Sequence, residues 1–240
     1  MGRSHRQPCI HRLSHGAHNP LSKYRTKKMI HGKQHYGDFV ALDCEMVGVG
    51  QDGQRSALGR VSIVASDGSV LLDTYVRVAE KVTDYRTFVS GIKPADLISP
   101  TALDFLCVRS MVENFICGKI LVGHGLKNDL DALKLQHPWH LIRDTSLYEP
   151  FMIRTNNGFL RSQRLRTLTY QYLGRTIQQA GSCHNSCVDA WAAMELYRLV
   201  QRDWENWWRN HNDFAATFHK SVSIVWDNKT LSSRSLPASI

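Results

Sequence analysis

Asp43 and Glu45 stand two residues apart, directly after the apolar run Phe39-Val40-Ala41-Leu42. Side chains alternate between the faces of a strand, so that spacing points both carboxylates to one side, at the carboxyl end where open α/β sheets usually meet their ligands. Neighbouring carboxylates beside an apolar run repel each other and lose hydration unless a cation compensates or one keeps its proton. Taken alone, the pair also reads as a solvated strand end. Asp129 falls in the early turns of a helix and Asp189 near the start of the last one, where the helix dipole favours negative charge. Either acid is equally an ordinary capping residue. Four acids placed where elements begin or end have the arrangement needed for a pair of hard divalent ions with oxygen ligands. His184 lies five residues before Asp189 among Gly181, Ser182, Asn185 and Ser186, all poor core formers. An imidazole there can exchange protons near neutral pH, although with twelve histidines in the chain a plain surface role stays open.

A sheet and its helices must bring these side chains together. Phe39–Leu42 reads as a strand entering a glycine-rich turn over Asp43–Gly48. Arg60–Val64 and Val70–Val76 flank Ser66-Asp67-Gly68-Ser69 and read as two further strands of an antiparallel meander. Residues 101–117 place Leu103, Leu106, Cys107, Met111, Phe115 and Ile116 at roughly helical intervals, with Gly118 as the stop. Lys119–Val122 reads as a buried fourth strand, Leu126, Leu130, Leu133 and Leu135 as a helix carrying Asp129, and Leu141–Arg143 as a short fifth strand. The last helix spans Ser186–Asn210, with an apolar face of Ala192, Leu196, Leu199, Val200, Trp204 and Trp207. Strands first, then alternating helices and strands, predict an α/β layer with one mixed, five-stranded sheet flanked by helices.

The 240 residues suffice for one domain with a sizeable core but not for several catalytic domains. A content of 42% hydrophobic and 21% charged residues excludes a disordered or collagenous chain. No run approaches the roughly 20 apolar residues of a spanning helix, and the amino terminus lacks the apolar core of a secretory signal. A soluble, intracellular protein with no membrane partner is expected. The six cysteines at 9, 44, 107, 117, 183 and 187 are expected to be reduced thiols. Neither Cys9 with His11, His15 and His18 nor Cys183 with Cys187 has the partner pair of a common zinc site. The net charge of +9 is unevenly spread: residues 1–37 hold eight Lys/Arg and no acid, leaving 22 basic against 21 acidic residues elsewhere. The expected organisation is a basic arm over 1–37, a domain over 38–210 and a tail over 211–240. The arm reads as a polyanion-binding or nuclear-delivery segment.

Taken in order, Ala41-Leu42-Asp43-Cys44-Glu45-Met46-Val47-Gly48, Asp84-Tyr85-Arg86-Thr87 with Ser90-Gly91, Leu121-Val122-Gly123-His124 with Asn128-Asp129-Leu130, Arg143-Asp144-Thr145, Thr176-Ile177-Gln178 and His184–Ala190 resemble the DEDDh 3′-to-5′ exonucleases. Among these, the chain resembles the RNA exonuclease 4 and interferon-stimulated exonuclease group. The resemblance covers about residues 38–205 and implies the RNase H-like exonuclease fold. It further implies that Asp43, Glu45, Asp129 and Asp189 are ligands of two divalent cations, Mg²⁺ or Mn²⁺. His184 matches the general base, and Met46 and Arg86 match positions near the terminal nucleotide. Asn185 stands where the Tyr subclass carries tyrosine, which marks the His subclass. Asn185, Val188 and Trp191 depart from the small or polar residues usual at this helix start, and Asp144 matches no ligand position, which leaves it a structural role. The implied activity is two-metal hydrolysis of the terminal phosphodiester of single-stranded RNA, or DNA, with a free 3′ end, releasing nucleoside 5′-monophosphates. A monomer in the nucleus or nucleolus, acting in RNA processing such as rRNA maturation, is expected. The competing reading is a catalytically weak nucleic-acid-binding or assembly factor on the same fold.

Overall fold

The computed structural model of the chain describes residues 39–210 apart from Ala180. The basic arm and the tail lie outside the described residues. Strands β1 (Phe39–Val49), β2 (Arg55–Ala65) and β3 (Val70–Arg77) form the antiparallel meander foreseen from the apolar runs. The β2–β3 turn closes at Gly68, where φ is +85°, and Asp67 Oδ1 accepts the Ser69 amide at 2.9 Å. One expectation about β1 fails. The strand does not stop for a turn at Asp43–Gly48 but continues to Val49, because β2 pairs with it from Val40 as far as Val49. The two acids therefore sit in mid-strand.

Beyond the meander come β4 (Val82–Asp84), α1 (Thr87–Ser90), α2 (Pro94–Ile98), β5 (Leu103–Asp104) and α3 (Phe105–Ile116). They are followed by β6 (Ile120–Gly123), α4 (Leu126–Leu133), β7 (Ile142–Asp144), the hairpin β8 (Ile153–Arg154) and β9 (Leu160–Arg161), α5 (Leu165–Leu173) and α6 (Ser186–Asn210). The main sheet runs β5-β3-β2-β1-β6-β7, with β6 parallel to β1 and β7 parallel to β6. It has seven strands, not five: β4 pairs with the end of β1, and β5 pairs with β3. At three and two residues, these additions are too short to show an alternating pattern.

Consecutive residues of β1 (Val40, Ala41, Leu42) and of β6 (Leu121, Val122) are buried, so the central strands are covered on both faces. Helix α4 buries Leu126, Leu130 and Leu133 as its spacing predicts, with Leu135 buried just beyond. Helix α3 buries Val108, Val112 and Ile116, whereas Leu106 is exposed and Leu103 belongs to β5. Its apolar residues form two overlapping stripes, and periodicity cannot choose between them. Helix α6 begins where expected, but its first turns are buried on every side from Ser186 to Met194, and Leu199 and Trp207 are exposed. The compact unit carrying the sheet ends at Leu199, and the chain from Val200 forms a second. No helix among the described residues is long and apolar enough to cross a membrane, and the described cysteines are free thiols.

Candidate active site

Strand β1 presents Asp43 and Glu45 on the same wall of a cleft of about 540 Å³. The ladder pairs Asp43 with Ser62 and Glu45 with Arg60, then shifts so that Met46 faces Leu58 and Gly59 is left over as a bulge. Bulges bend and twist a strand locally. This one needs glycine, since a Cβ at Gly59 would stand 2.5 Å from Ile92 Cδ1. Met46, beyond the bulge, is half-buried and does not line the cleft.

Asp129 reaches the same place from α4. The helix starts at Gly125, whose φ is +83°, and the carboxylate of Asp144 at the end of β7 holds that start. It accepts the amides of Gly125 (2.8 Å), Leu126 (2.9 Å) and Ser146 (2.9 Å), and the Ser146 hydroxyl at 2.7 Å. Asp144 is thus the structural acid the sequence suggested. One helical turn on, buried Asp129 accepts the backbone amide of Cys44 at 3.0 Å, between the two acids of β1.

Asp189 lies in the first turn of α6. Asn185 caps this helix: its Oδ1 accepts the Cys187 amide at 3.1 Å. The side chain that departs from the usual pattern thus acts as a cap. Ser186 is pinned to β2 by a 2.6 Å hydroxyl contact with Ser62, and the His184 amide donates to Val89 O at 2.8 Å. Gln178 Nε2 donates to Asp189 Oδ2 at 2.9 Å, and His184 Nδ1 stands 3.8 Å from that same oxygen. One ligand atom each from Glu45, His184 and Asp189 lies within 4.8 Å of the others.

Burial raises the acids' pKa values in every case. Asp43 is pushed well above the carboxylate range by burial, then by Asp129, Asp189 and Glu45, with Arg60 acting in the opposite sense. Burial, with Asp189 adding to it, brings Glu45 to about 8. Asp129 reaches about 7, burial outweighing the Cys44 amide. Asp189 reaches about 6, burial being offset by Gln178. Arg60 cannot neutralise the group, because its guanidinium is paired at 2.8 Å through two nitrogens with Asp73. Glu45 Oε1 and Asp189 Oδ1 are buried without a hydrogen-bond partner among the described residues. A buried carboxylate oxygen so placed costs about 1–3 kcal/mol or more unless a proton or cation meets it. The donor set therefore fits a divalent cation with oxygen ligands. His184 moves the other way: burial first, and Arg166 second, lower its pKa.

The cleft brings together Asp43, Glu45, His184 and Asp189, with Asp129 tied behind them. It does not include Arg86. That guanidinium donates to Ser56 Oγ (2.9 Å) and Gly53 O (2.8 Å). Sequence reasoning gave no role to Gln178, His124, Arg164 or Arg166, all of which line the cleft. Gln178 and His124 fall within the matched motifs. Nothing in the local pattern distinguishes the two arginines. Cys183 is exposed and Cys187 buried, so the Cys-x3-Cys pair presents no common ligand face.

The profile of the Exonuclease family (RNase T) matches residues 40–197. RNA exonuclease 4 of Mus musculus is 47% identical over 178 residues, covering 74% of this chain and 40% of that protein. RNA exonuclease 4 of Candida albicans is 43% identical over 193 residues, covering 80% and 64%. The chain thus spans less than two thirds of the length of these relatives. Among solved structures, the Pan2 pseudoubiquitin hydrolase–RNA exonuclease module of Saccharomyces cerevisiae in complex with AAUUAA RNA superposes with a TM-score of 0.60 at 27% identity, covering 80% of this chain and 33% of that one. The Neurospora crassa Pan2 catalytic unit, at 24% identity and a TM-score of 0.61, covers 89% and 34% and shares the fold.

Proposed function

The chain belongs to the Exonuclease family, and from that premise we propose that it is a 3′-to-5′ exonuclease that hydrolyses the terminal phosphodiester of single-stranded RNA. The observation that carries this reading is the convergence of Asp43, Glu45 and Asp189 on one cleft beside His184, with Asp129 bonded to the strand between the first two. The four acids would hold two divalent cations, Mg²⁺ or Mn²⁺, since magnesium-type ions take carboxylate oxygens. When bound, such a pair lowers the pKa of a coordinated water and offsets charge on the leaving oxygen.

The residues of the chain do the rest. His184, with its pKa lowered, is neutral at pH 7 and accepts the proton of the attacking water. The water oxygen bonds to phosphorus, the bond from phosphorus to the 3′ oxygen breaks, and that oxygen takes a proton from solvent. The products are a nucleoside 5′-monophosphate and a new 3′ hydroxyl. Met46 and Arg86 are retained from the family resemblance as contacts to the terminal nucleotide, for which Arg86 would exchange its bonds to Gly53 and Ser56. RNA as substrate is supported by the relatives' name and by the RNA-bound Pan2 module. Action in the nucleus or nucleolus, in processing such as rRNA maturation, accords with the basic arm, and we propose that the chain acts as a monomer.

Incubating 5′-labelled single-stranded RNA and DNA with Mg²⁺, Mn²⁺ or chelator tests polarity, sugar preference and metal requirement together. Shortening from the 3′ end with release of 5′-monophosphates is expected with either metal and not with chelator. Asp189→Asn is expected to abolish turnover without lowering the melting temperature, since it replaces an acid whose ionised form is disfavoured by burial. Undiminished turnover by that variant refutes the assignment.

A further inference from the structure

Arg164 and Arg166 line the cleft from the start of α5, a region that holds none of the acids. The segment that carries them is held in place. His124, just after β6, bonds the Gln163 carbonyl through Nε2 at 3.0 Å, and Gln163 Nε2 donates to Phe151 O at 2.9 Å. The Arg164 carbonyl accepts the amides of Thr167 (2.9 Å) and Leu168 (3.2 Å), which fixes the first turn of the helix.

Both arginines are exposed, and their side chains form no hydrogen bond or ion pair among the described residues. Arg60 and Arg86 differ: their guanidiniums are taken up by Asp73 and by Gly53 and Ser56. Although they share a cleft with Asp43, Glu45 and Asp189, Arg164 and Arg166 do not pair with them. An exposed guanidinium on an anchored segment, bordering an acidic cluster without pairing to it, remains available to an anion arriving from solvent, and its planar fork matches the oxygens of a phosphate. Arg166 lines the same cleft as His184, the group that accepts the proton of the attacking water.

We infer that Arg164 and Arg166 bind the sugar–phosphate backbone of the incoming single strand, at the phosphodiesters on the 5′ side of the one being cleaved. This rests on the nuclease reading above. When a chain is cut at its 3′ end, only the last nucleotide lies beyond the scissile bond, so every further phosphate lies on the 5′ side. Such contacts fix the position of the strand without reading its bases. They also offset the repulsion that the acids exert on a polyanion.

The test measures binding of a 5′-labelled single-stranded RNA of about 10 nucleotides to the Asp189→Asn chain over a range of KCl concentrations. In that background, Arg164→Gln/Arg166→Gln is expected to weaken binding about tenfold and to flatten the slope of log affinity against log salt by about 1.4, two contacts at about 0.7 each. Arg164→Lys/Arg166→Lys keeps the charges and should keep the slope. Unchanged affinity and slope in the Gln pair overturn the inference. So does a loss shared equally by the Lys pair with no change in slope, because the contact is then not ionic. A wild-type chain that leaves RNA uncut removes the nuclease reading while the salt slope still decides on the arginines. A chain that cuts RNA with a slope indifferent to both arginines removes this inference alone.

Discussion

His184 has two roles within reach, cation ligand and proton acceptor, and its surroundings separate them. Its Nδ1 lies 3.8 Å from Asp189 Oδ2, beyond a direct hydrogen bond, and its ring is about a third exposed while Asp189 is buried. Burial, followed by Arg166, lowers its pKa. The neutral, proton-accepting form therefore persists to more acidic pH than in a free imidazole, and activity should fall only as pH drops through that lowered value. As a base, His184→Ala should reduce kcat about 10²- to 10⁴-fold, flatten the acidic limb of the pH profile at saturating Mg²⁺, and leave Mg²⁺ affinity by calorimetry nearly unchanged. A large loss of affinity, with kcat recovered at high Mg²⁺, would make it a ligand instead. Asp43, Glu45 and His184 are legible from sequence because period-2 spacing and a helix-leading loop are local patterns. Gln178 is not: it meets Asp189 eleven residues further on only because the intervening loop folds back.

Elements carry the acids to one place, and the tightest junction is the step from β6 to α4. A Cβ at Gly123 would stand 2.3 Å from Leu126 Cδ2 and 2.6 Å from its Cγ. Leu126 is fully buried, so the start of α4 would have to shift, and Asp129 would shift with it. Gly123→Ala is expected to destabilise the fold by about 1–3 kcal/mol and to weaken Mg²⁺ binding. Gly118→Ala is the control. There φ is +67° with nothing within 4 Å of the added Cβ, so about 1 kcal/mol of backbone strain should come with unchanged Mg²⁺ affinity. Equal Mg²⁺ affinity in both variants would show that the junction does not set the position of Asp129. The longer elements were readable because apolar runs end at glycines that stop them, as Gly118 ends α3 and Gly68 turns β2 into β3. The two-residue β5 was not, since its pairing with β3, far back along the chain, defines it, and the hairpin of β8 and β9 was not, since two residues a side are too few to show an alternating pattern. The buried stripe of α3 was not legible either, because what it packs against selects Val108 and Val112 over Leu106.

For the molecule as a whole, gathering acids around one cleft makes the stability of the cation-free protein depend on pH. A carboxyl whose folded pKa lies above its unfolded value holds its proton more tightly when folded. Its contribution is complete below the unfolded value, near 4, and is lost as pH rises through the folded one. With Glu45 at about 8 and Asp129 at about 7, that loss is spread from the unfolded value upward, and its last part, chiefly that of Glu45, falls above pH 6.5. His124, His137 and His184 have the opposite sign: their lowered pKa values cost stability as pH falls below their ordinary value near 6.5, so they do not act in this window. In chelator, the melting temperature is therefore expected to fall steadily from pH 6.5 to 8.5. A divalent cation binds the ionised oxygens in competition with protons, so saturating Mg²⁺ should raise the melting temperature more at pH 8.5 than at pH 6.5. Asp189→Asn should reduce both the fall and the Mg²⁺ response. A melting temperature that rises across this window in chelator, or an Mg²⁺ shift independent of pH, would mean that the four acids do not act as one desolvated cluster.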